Sequence, residues 1–137
     1  MESQPPAHPR ILIADNNTSL TLLLQLLFEE AGYLVTIAGT LEEACAQLAA
    51  GEFDIVLADS FSRQQSQVLA TTAPIREAAG AIPVVLFTAY RVARAEALRA
   101  GFDEVLPKPI DLDVLVARVQ RLLSELTPHS PPPTGAK

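Results

Sequence analysis

The chain has 137 residues, 49% of them hydrophobic, with ten Lys and Arg against sixteen Asp and Glu and a formal net charge of -6. That size and composition suit one globular domain with a full core, while the acidic balance opposes the basic face that non-specific nucleic-acid binding draws on. One cysteine, Cys45, allows neither an internal disulfide nor a thiolate metal cluster, and no 18-residue apolar stretch or positively charged leader appears, so a soluble cytoplasmic protein without membrane contact is expected.

Residues 1–9 are polar and proline-rich and are expected to form a flexible arm. A first strand is predicted at Arg10–Ala14. A helix over about Thr18–Ala31 places Leu20, Leu23, Leu24, Leu27 and Ala31 on one side, with Leu22 and Leu26 broadening the stripe. Val35 and Ile37 alternate with Thr36 in a second strand. Thr40 then opens a second helix as its N-cap, with Glu43 three residues on to complete a capping box. Ala44, Cys45 and Leu48 face inward in that helix, where Cys45 reads as a buried structural thiol.

The run Ile55-Val56-Leu57-Ala58 is too short for a helix and apolar throughout, which suits a strand covered on both faces. It runs into Asp59 and a polar loop over Ser60–Ser66. The third helix, Gln67–Ala79, carries Val68, Leu69 and Ile75, but Pro74 should bend or restart it. Val84-Val85-Leu86-Phe87 forms a fourth strand leading into Thr88. Arg91–Ala100 is the fourth helix, Val105-Leu106 a short fifth strand, and Asp111 caps a fifth helix that runs to Leu126. Leu112, Leu115, Val116, Val119, Leu122 and Leu123 keep its 3.6-residue beat. The tail over 127–137 contains Pro128, Pro131, Pro132 and Pro133 and is expected to be flexible.

Ala-Gly pairs at 31–32, 50–51, 79–80 and 100–101 each close a helical segment shortly before a strand. Five strands and five helices in strict alternation give an α/β, doubly wound parallel sheet with helices on both faces. Ligands of such folds bind where the strands hand over to loops. If the strands are parallel neighbours, Asp15, Asn16, Asp59, Thr88 and Lys108 converge there. Each residue also has a plainer reading. Asp15, Asn16 or Asn17 could cap the first helix, Thr88 could satisfy its hydroxyl in a turn, and Lys108 could be an ordinary surface ammonium. Prolines at 107 and 109 instead favour a positioned charge.

These residues together resemble the receiver domain of two-component response regulators over roughly Arg10–Leu126. The resemblance implies a flavodoxin-like strand order 2-1-3-4-5. It implies Asp59 as phosphoacceptor, Thr88 as the strand-four hydroxyl followed by small Ala89, and Lys108-Pro109 as the lysine-proline pair with a cis bond. It also implies magnesium held by Asp15, Asn16, Asp59 and the Phe61 carbonyl. Two departures weaken that magnesium site or its surroundings: Asn16 stands where the family has a second acid, and Ser62-Arg63 replaces the usual Met-Pro. The family's aromatic switch falls at Val105. By the same resemblance, Phe61 and Tyr90 are then expected to cover the site mouth and slow the loss of phosphate. 

The implied partners are a histidine kinase or histidine phosphotransfer protein upstream and a protein target downstream. Arg91, Arg94, Arg99, Arg118 and Arg121 on or near the fourth and fifth helices are either solvated surface or part of a partner-binding or homodimer face with the fifth strand. The chain ends soon after the fifth helix, so signalling by protein contact and not by direct nucleic-acid binding is expected. The alternatives are a phosphorylation-independent pseudo-receiver and a flavodoxin-like small-ligand binder. The loop after the first strand lacks the glycine-rich character the latter requires.

Overall fold

The computed structural model describes residues 8–126. Strands β1 (Arg10–Ala14), β2 (Leu34–Ala38), β3 (Ile55–Ala58), β4 (Val84–Thr88) and β5 (Glu104–Pro107) alternate with five helices. These are α1 (Thr18–Glu30), α2 (Leu41–Ala50), α3 (Val68–Ala79), α4 (Arg94–Arg99) and α5 (Leu112–Leu126). Every pairing is parallel and the order is β2-β1-β3-β4-β5, as the alternation and the resemblance led us to expect. Residues 1–7 of the expected arm, and the expected tail over 127–137 with His129, lie outside the described residues.

Strand alternation divides the core between two faces. Ile11, Ile13, Ile55, Leu57, Val85 and Phe87 pack with Leu24 and Phe28 of α1 and Leu115, Val119 and Leu123 of α5. Leu12, Val56, Val84 and Leu86 pack on the other side with Leu48 of α2, Val68 and Ile75 of α3, and Ala97 of α4. Both faces being covered explains why β3 and β4 read as unbroken apolar runs. The register pairs Ala14 with Ala58, and Ala58 with Leu86, so β1 and β3 end level while β4 runs two residues further, to Thr88.

Several local expectations need correction. The buried stripe of α1 is Thr21, Leu24 and Phe28, whereas Leu22, Leu23 and Leu26 are 57%, 46% and 61% exposed. The helix meets the sheet along a narrow line, and Phe28 fills the space edge-on against Tyr33. Pro74 does not restart α3. It lies on the exposed side, and the lost backbone bond is to exposed Ala70, while Val68, Thr72, Ile75 and Ala79 anchor the inner side. Helix α4 begins at Arg94, three residues later than expected, because the backbone before it is engaged in other bonds described below. Of the four Ala-Gly boundaries, Gly32, Gly80 and Gly101 take positive φ, but Gly51 is extended.

The predicted caps form, except that the Glu43 carboxylate takes the N–H of Gly39 and not that of the N-cap Thr40, so the capping box is closed one residue early. Thr40 accepts the Glu43 N–H at 3.0 Å, and Glu43 Oε1 reaches back to the Gly39 N–H at 2.8 Å. Asp111 Oδ1 accepts the Asp113 N–H at 2.9 Å at the start of α5.

The opposite edge of the sheet is tied by Arg76, whose role the sequence did not suggest. Its guanidinium donates to the carbonyls of Gly80 (2.6 Å), Ile82 (2.7 Å) and Gly101 (2.9 Å) and meets Asp103 at 3.4 Å. Asp103 in turn accepts the Val84 N–H at 2.8 Å. Gly101 has φ +99° and its Cα lies so near Arg76 that a Cβ would stand 3.1 Å from Cδ, so glycine suits this position twice over. Replacing Arg76 with Met keeps the stem but strands three carbonyls and a carboxylate. Urea unfolding should show a loss of about 2 kcal/mol, and an unchanged midpoint would contradict this role.

Candidate functional site

The polar site lies at the carboxyl edge, where three ladder bonds carry the sheet one residue beyond its strands. The Asp15 N–H donates to Ala38 O at 2.9 Å, Asp59 N–H to Ala14 O at 2.7 Å, and Lys108 N–H to Thr88 O at 2.9 Å. Each site residue is therefore fixed at its backbone by a neighbouring strand. Their side chains meet. Lys108 Nζ lies 2.7 Å from Asp15 Oδ2 and 3.0 Å from Asp59 Oδ1.

The second oxygen of each carboxylate accepts a backbone N–H, from Asn17 to Asp15 (2.9 Å) and from Phe61 to Asp59 (3.0 Å). Asp15 is only 3% exposed at its side chain, so it is tolerable only when paired in this way. Burial works to lower the Lys108 pKa, but hydrogen bonds and charge from Asp15 and Asp59 outweigh it, and the ammonium is held above the ordinary lysine value. Lys108 Nζ also sits 5.0 Å from the Phe87 ring centroid, a second attraction on the cation. The Lys108-Pro109 bond is cis.

The capping question after β1 is answered by Asn17, whose side chain accepts the Leu20 N–H at 3.1 Å. That leaves Asp15 turned to the site, while Asn16 is exposed. After β3, Phe61 has φ +53°, a left-handed conformation uncommon for a side chain of that size. Its own bond to Asp59 and the Ser62 N–H to Ser60 Oγ bond at 3.4 Å help to hold it there. Strain of this kind persists where surroundings over-determine it, as they do beside functional groups. Thr88, buried at the end of β4, accepts the Tyr90 N–H at 3.1 Å, which leaves its hydroxyl proton available to donate.

The hard-oxygen donors that the structure gathers around Lys108, and that a divalent cation favours, are the Asp15 and Asp59 carboxylates. Two carboxylates against one ammonium leave the cluster net negative, which suits a cation. Among the described residues no group of three or more His, Cys, Asp or Glu is placed to hold a metal, so the charge at the site rests on two acids. Two carboxylates suit magnesium in kind, with one anionic ligand fewer than the family pattern has, because Asn16 stands in place of its second acid.

Away from this cluster, the arginines of α4 and α5 divide. Arg94 and Arg118 each meet the Glu104 carboxylate of β5 at 2.6 Å, and Glu104 is 3% exposed. A carboxylate so buried would be costly alone, so these two cations are committed to it. Arg121 pairs with Glu125 at 3.2 Å. Nothing in the sequence of the short strand around Glu104 signals that this charge turns inward. Beside Val105 an open cavity of about 700 Å³ is lined by Thr88, Ala89, Tyr90, Val92 and Lys108. Cys45 packs partly against the core, and burial and then Glu42 push its thiol pKa up, the behaviour of an inert thiol.

A fold of order 2-1-3-4-5 with an aspartate after β3 and a lysine after β5 defines a class of signalling domain, and direct comparison agrees. The model of the response regulator receiver domain matches residues 11–120, and the chain belongs to that family. The transcriptional regulatory protein ZraR of Escherichia coli (strain K12) is 34% identical over 116 residues, which are 83% of this chain and 26% of that protein. The chain thus spans about a quarter of that relative's length. A two-component response regulator from Clostridium difficile superposes with a TM-score of 0.76 at 24% identity, covering 88% of this chain and 100% of the other. The receiver domain of sensor histidine kinase PA1611 from Pseudomonas aeruginosa PAO1, with a magnesium ion coordinated in its active-site cleft, gives 0.69 at 22% identity, covering 86% and 99%. The two structural likenesses support the fold. Among the described residues no helix is long and apolar enough to cross a membrane.

Proposed function

We propose that this receiver domain accepts a phosphoryl group on Asp59 from a histidine kinase or histidine phosphotransfer protein, in the cytoplasm, and passes the signal on by protein contact. The observation that carries the reading is the Lys108 ammonium shared between Asp15 and Asp59 at the carboxyl edge of the sheet. In the reaction an Asp59 carboxylate oxygen attacks phosphorus in line, an acyl phosphate bond forms, and the bond from phosphorus to the donor nitrogen or oxygen breaks with its electron pair leaving on the donor. Lys108 is already within hydrogen-bond range of Asp59 and can turn its donors to the new phosphoryl oxygens. The Thr88 hydroxyl supplies a second donor from the neighbouring strand.

Magnesium would be held by Asp15, Asp59, Asn16 and the Phe61 carbonyl, and supplies neutralisation of the phosphoryl oxygens when bound. Phe61 and Tyr90 border the site and limit water, which favours slow loss of phosphate. Apolar surface suited to a protein donor lies close by. Leu22, Leu23 and Leu26 are exposed along α1, and a groove of about 410 Å³ is lined by Leu20, Ala89, Lys108, Pro109 and Ile110. The downstream face, and any homodimer, is assigned to α4, β5 and α5, whose arginines are partly neutralised by Glu104. The competing reading, an interaction module that never needs phosphate, draws on Asn16, Ser62-Arg63 and Val105, three departures from the family pattern.

Treated with acetyl phosphate and magnesium, the protein should gain one phosphoryl group by rapid intact mass spectrometry, and Asp59→Asn should gain none. A wild-type chain left unlabelled by both acetyl phosphate and a competent kinase would favour the interaction module. Magnesium affinity offers a separate check. Asn16→Asp adds an anionic oxygen to the donor set and should tighten binding about tenfold in a titration, or ~1.4 kcal/mol. Equal affinities would remove position 16 from the ligand set.

A further inference from the structure

Two loops border Asp59: residues 60–67 after β3 and residues 89–93 after β4. One side chain joins their outer ends. Gln65 opens a short 3₁₀ turn, Gln65–Gln67, and aims its amide at the backbone of Arg91. Its Oε1 accepts the Arg91 N–H at 3.1 Å, and its Nε2 donates to the Arg91 carbonyl. A primary amide can pair in this way with both polar groups of one residue, as an adjacent strand would. Leucine can make neither bond and a glutamate carboxylate only the first.

The bonds around this pair lead back to the site on both sides. On one side Asp59 accepts the Phe61 N–H, and Ser62 Oγ both accepts the Gln64 N–H at 3.1 Å and donates to the Gln64 carbonyl at 2.7 Å. On the other, Arg91 adjoins Tyr90, whose N–H donates to Thr88 Oγ1. Gln65 thus closes a loop of bonded segments between Asp59 and Thr88. The pair also accounts for the late start of α4, since the Arg91 backbone is occupied and the helix has no side-chain cap at Ala93. The open cavity beside Val105 is lined by the same 89–93 loop, so the segment has space into which to move.

We propose that Gln65 is a positioning residue: a latch that holds the 89–93 loop in its resting arrangement and must yield before phosphoryl transfer to Asp59 can be felt at α4. The coupling part rests on Asp59 being the phosphoacceptor. The latch itself does not, because it is made without phosphate. A two-bond latch on an exposed loop biases the equilibrium between loop arrangements, and its removal raises the share of molecules able to accept phosphate.

Amide hydrogen exchange followed by nuclear magnetic resonance tests the latch on the whole chain. In Gln65→Leu the Arg91 amide should exchange about fivefold faster. The Asp59 amide, bonded to Ala14 O, should be unchanged and so reports that the sheet is intact. Gln65→Glu keeps an acceptor for the Arg91 N–H but sets a carboxylate against its carbonyl, and its rate should fall between the other two. With acetyl phosphate and magnesium, Gln65→Leu should be labelled about fivefold faster than the wild type. Unchanged Arg91 exchange in both variants would overturn the proposal, as would faster exchange with no gain in labelling. A wild type that is never labelled overturns the phosphoacceptor reading instead, and the Arg91 exchange rates then decide on their own whether Gln65 holds the loop.

Discussion

Two carboxylates share one ammonium at the edge of the sheet, and much else in the molecule serves that contact. Asp15 and Asp59 end adjacent strands, so their charges are brought together by the fold itself. Without Lys108 they would repel across a partly dry space. With it, each carboxylate has one oxygen on the ammonium and one on a backbone N–H. The lysine is not left to find them by chance. Its backbone N–H is fixed to Thr88, its flanking prolines restrict the chain, and its ammonium lies over the Phe87 ring.

Such an arrangement is poised rather than closed. The acids outnumber the base, so the cluster retains negative charge for a cation. The ammonium has two partners and can exchange one of them for a newly added group with little movement. Around it the sheet is rigid, with β1, β3 and β4 buried on both faces, while the loops that follow β3 and β4 are held by side-chain bonds. Those bonds, from Ser62, Gln65 and Thr88, lie partly in solvent and are individually weak. Rigid placement of the charges beside loosely held loops is the physical condition for a local event to be read at a distance.

The sequence carried the parallel sheet and the polar residues at its strand ends, because each depends on a local signal: an apolar run, a polar residue at its end, a glycine after a helix. The strand order, which seats Asp15, Asp59 and Lys108 together, came from the family resemblance. The sequence did not reveal Arg76, Glu104 or Gln65. Apart from the Arg76 bonds to Gly80 and Ile82, their partners lie 10 to 27 residues away, and nothing in the intervening chain marks the pairing. The same cause shifted α4, since a helical pattern from Arg91 says nothing of a glutamine from another loop that engages the backbone at that point. On α1 the many leucines concealed which of them face inward. Phe28 was decisive there, and a leucine-rich pattern has no phase sharp enough to select it.

On the proposed function, Lys108 passes from its two carboxylates to a phosphoryl group on Asp59. Beryllium fluoride with magnesium mimics that group without turnover, so a nuclear magnetic resonance titration reads the transfer most directly. Resonances of Asp59, Phe61, Thr88 and Lys108 should shift together and saturate at one equivalent, and Asp59→Asn should show none of these changes. A wild-type spectrum that stays still, or the same shifts in Asp59→Asn, would contradict the claim.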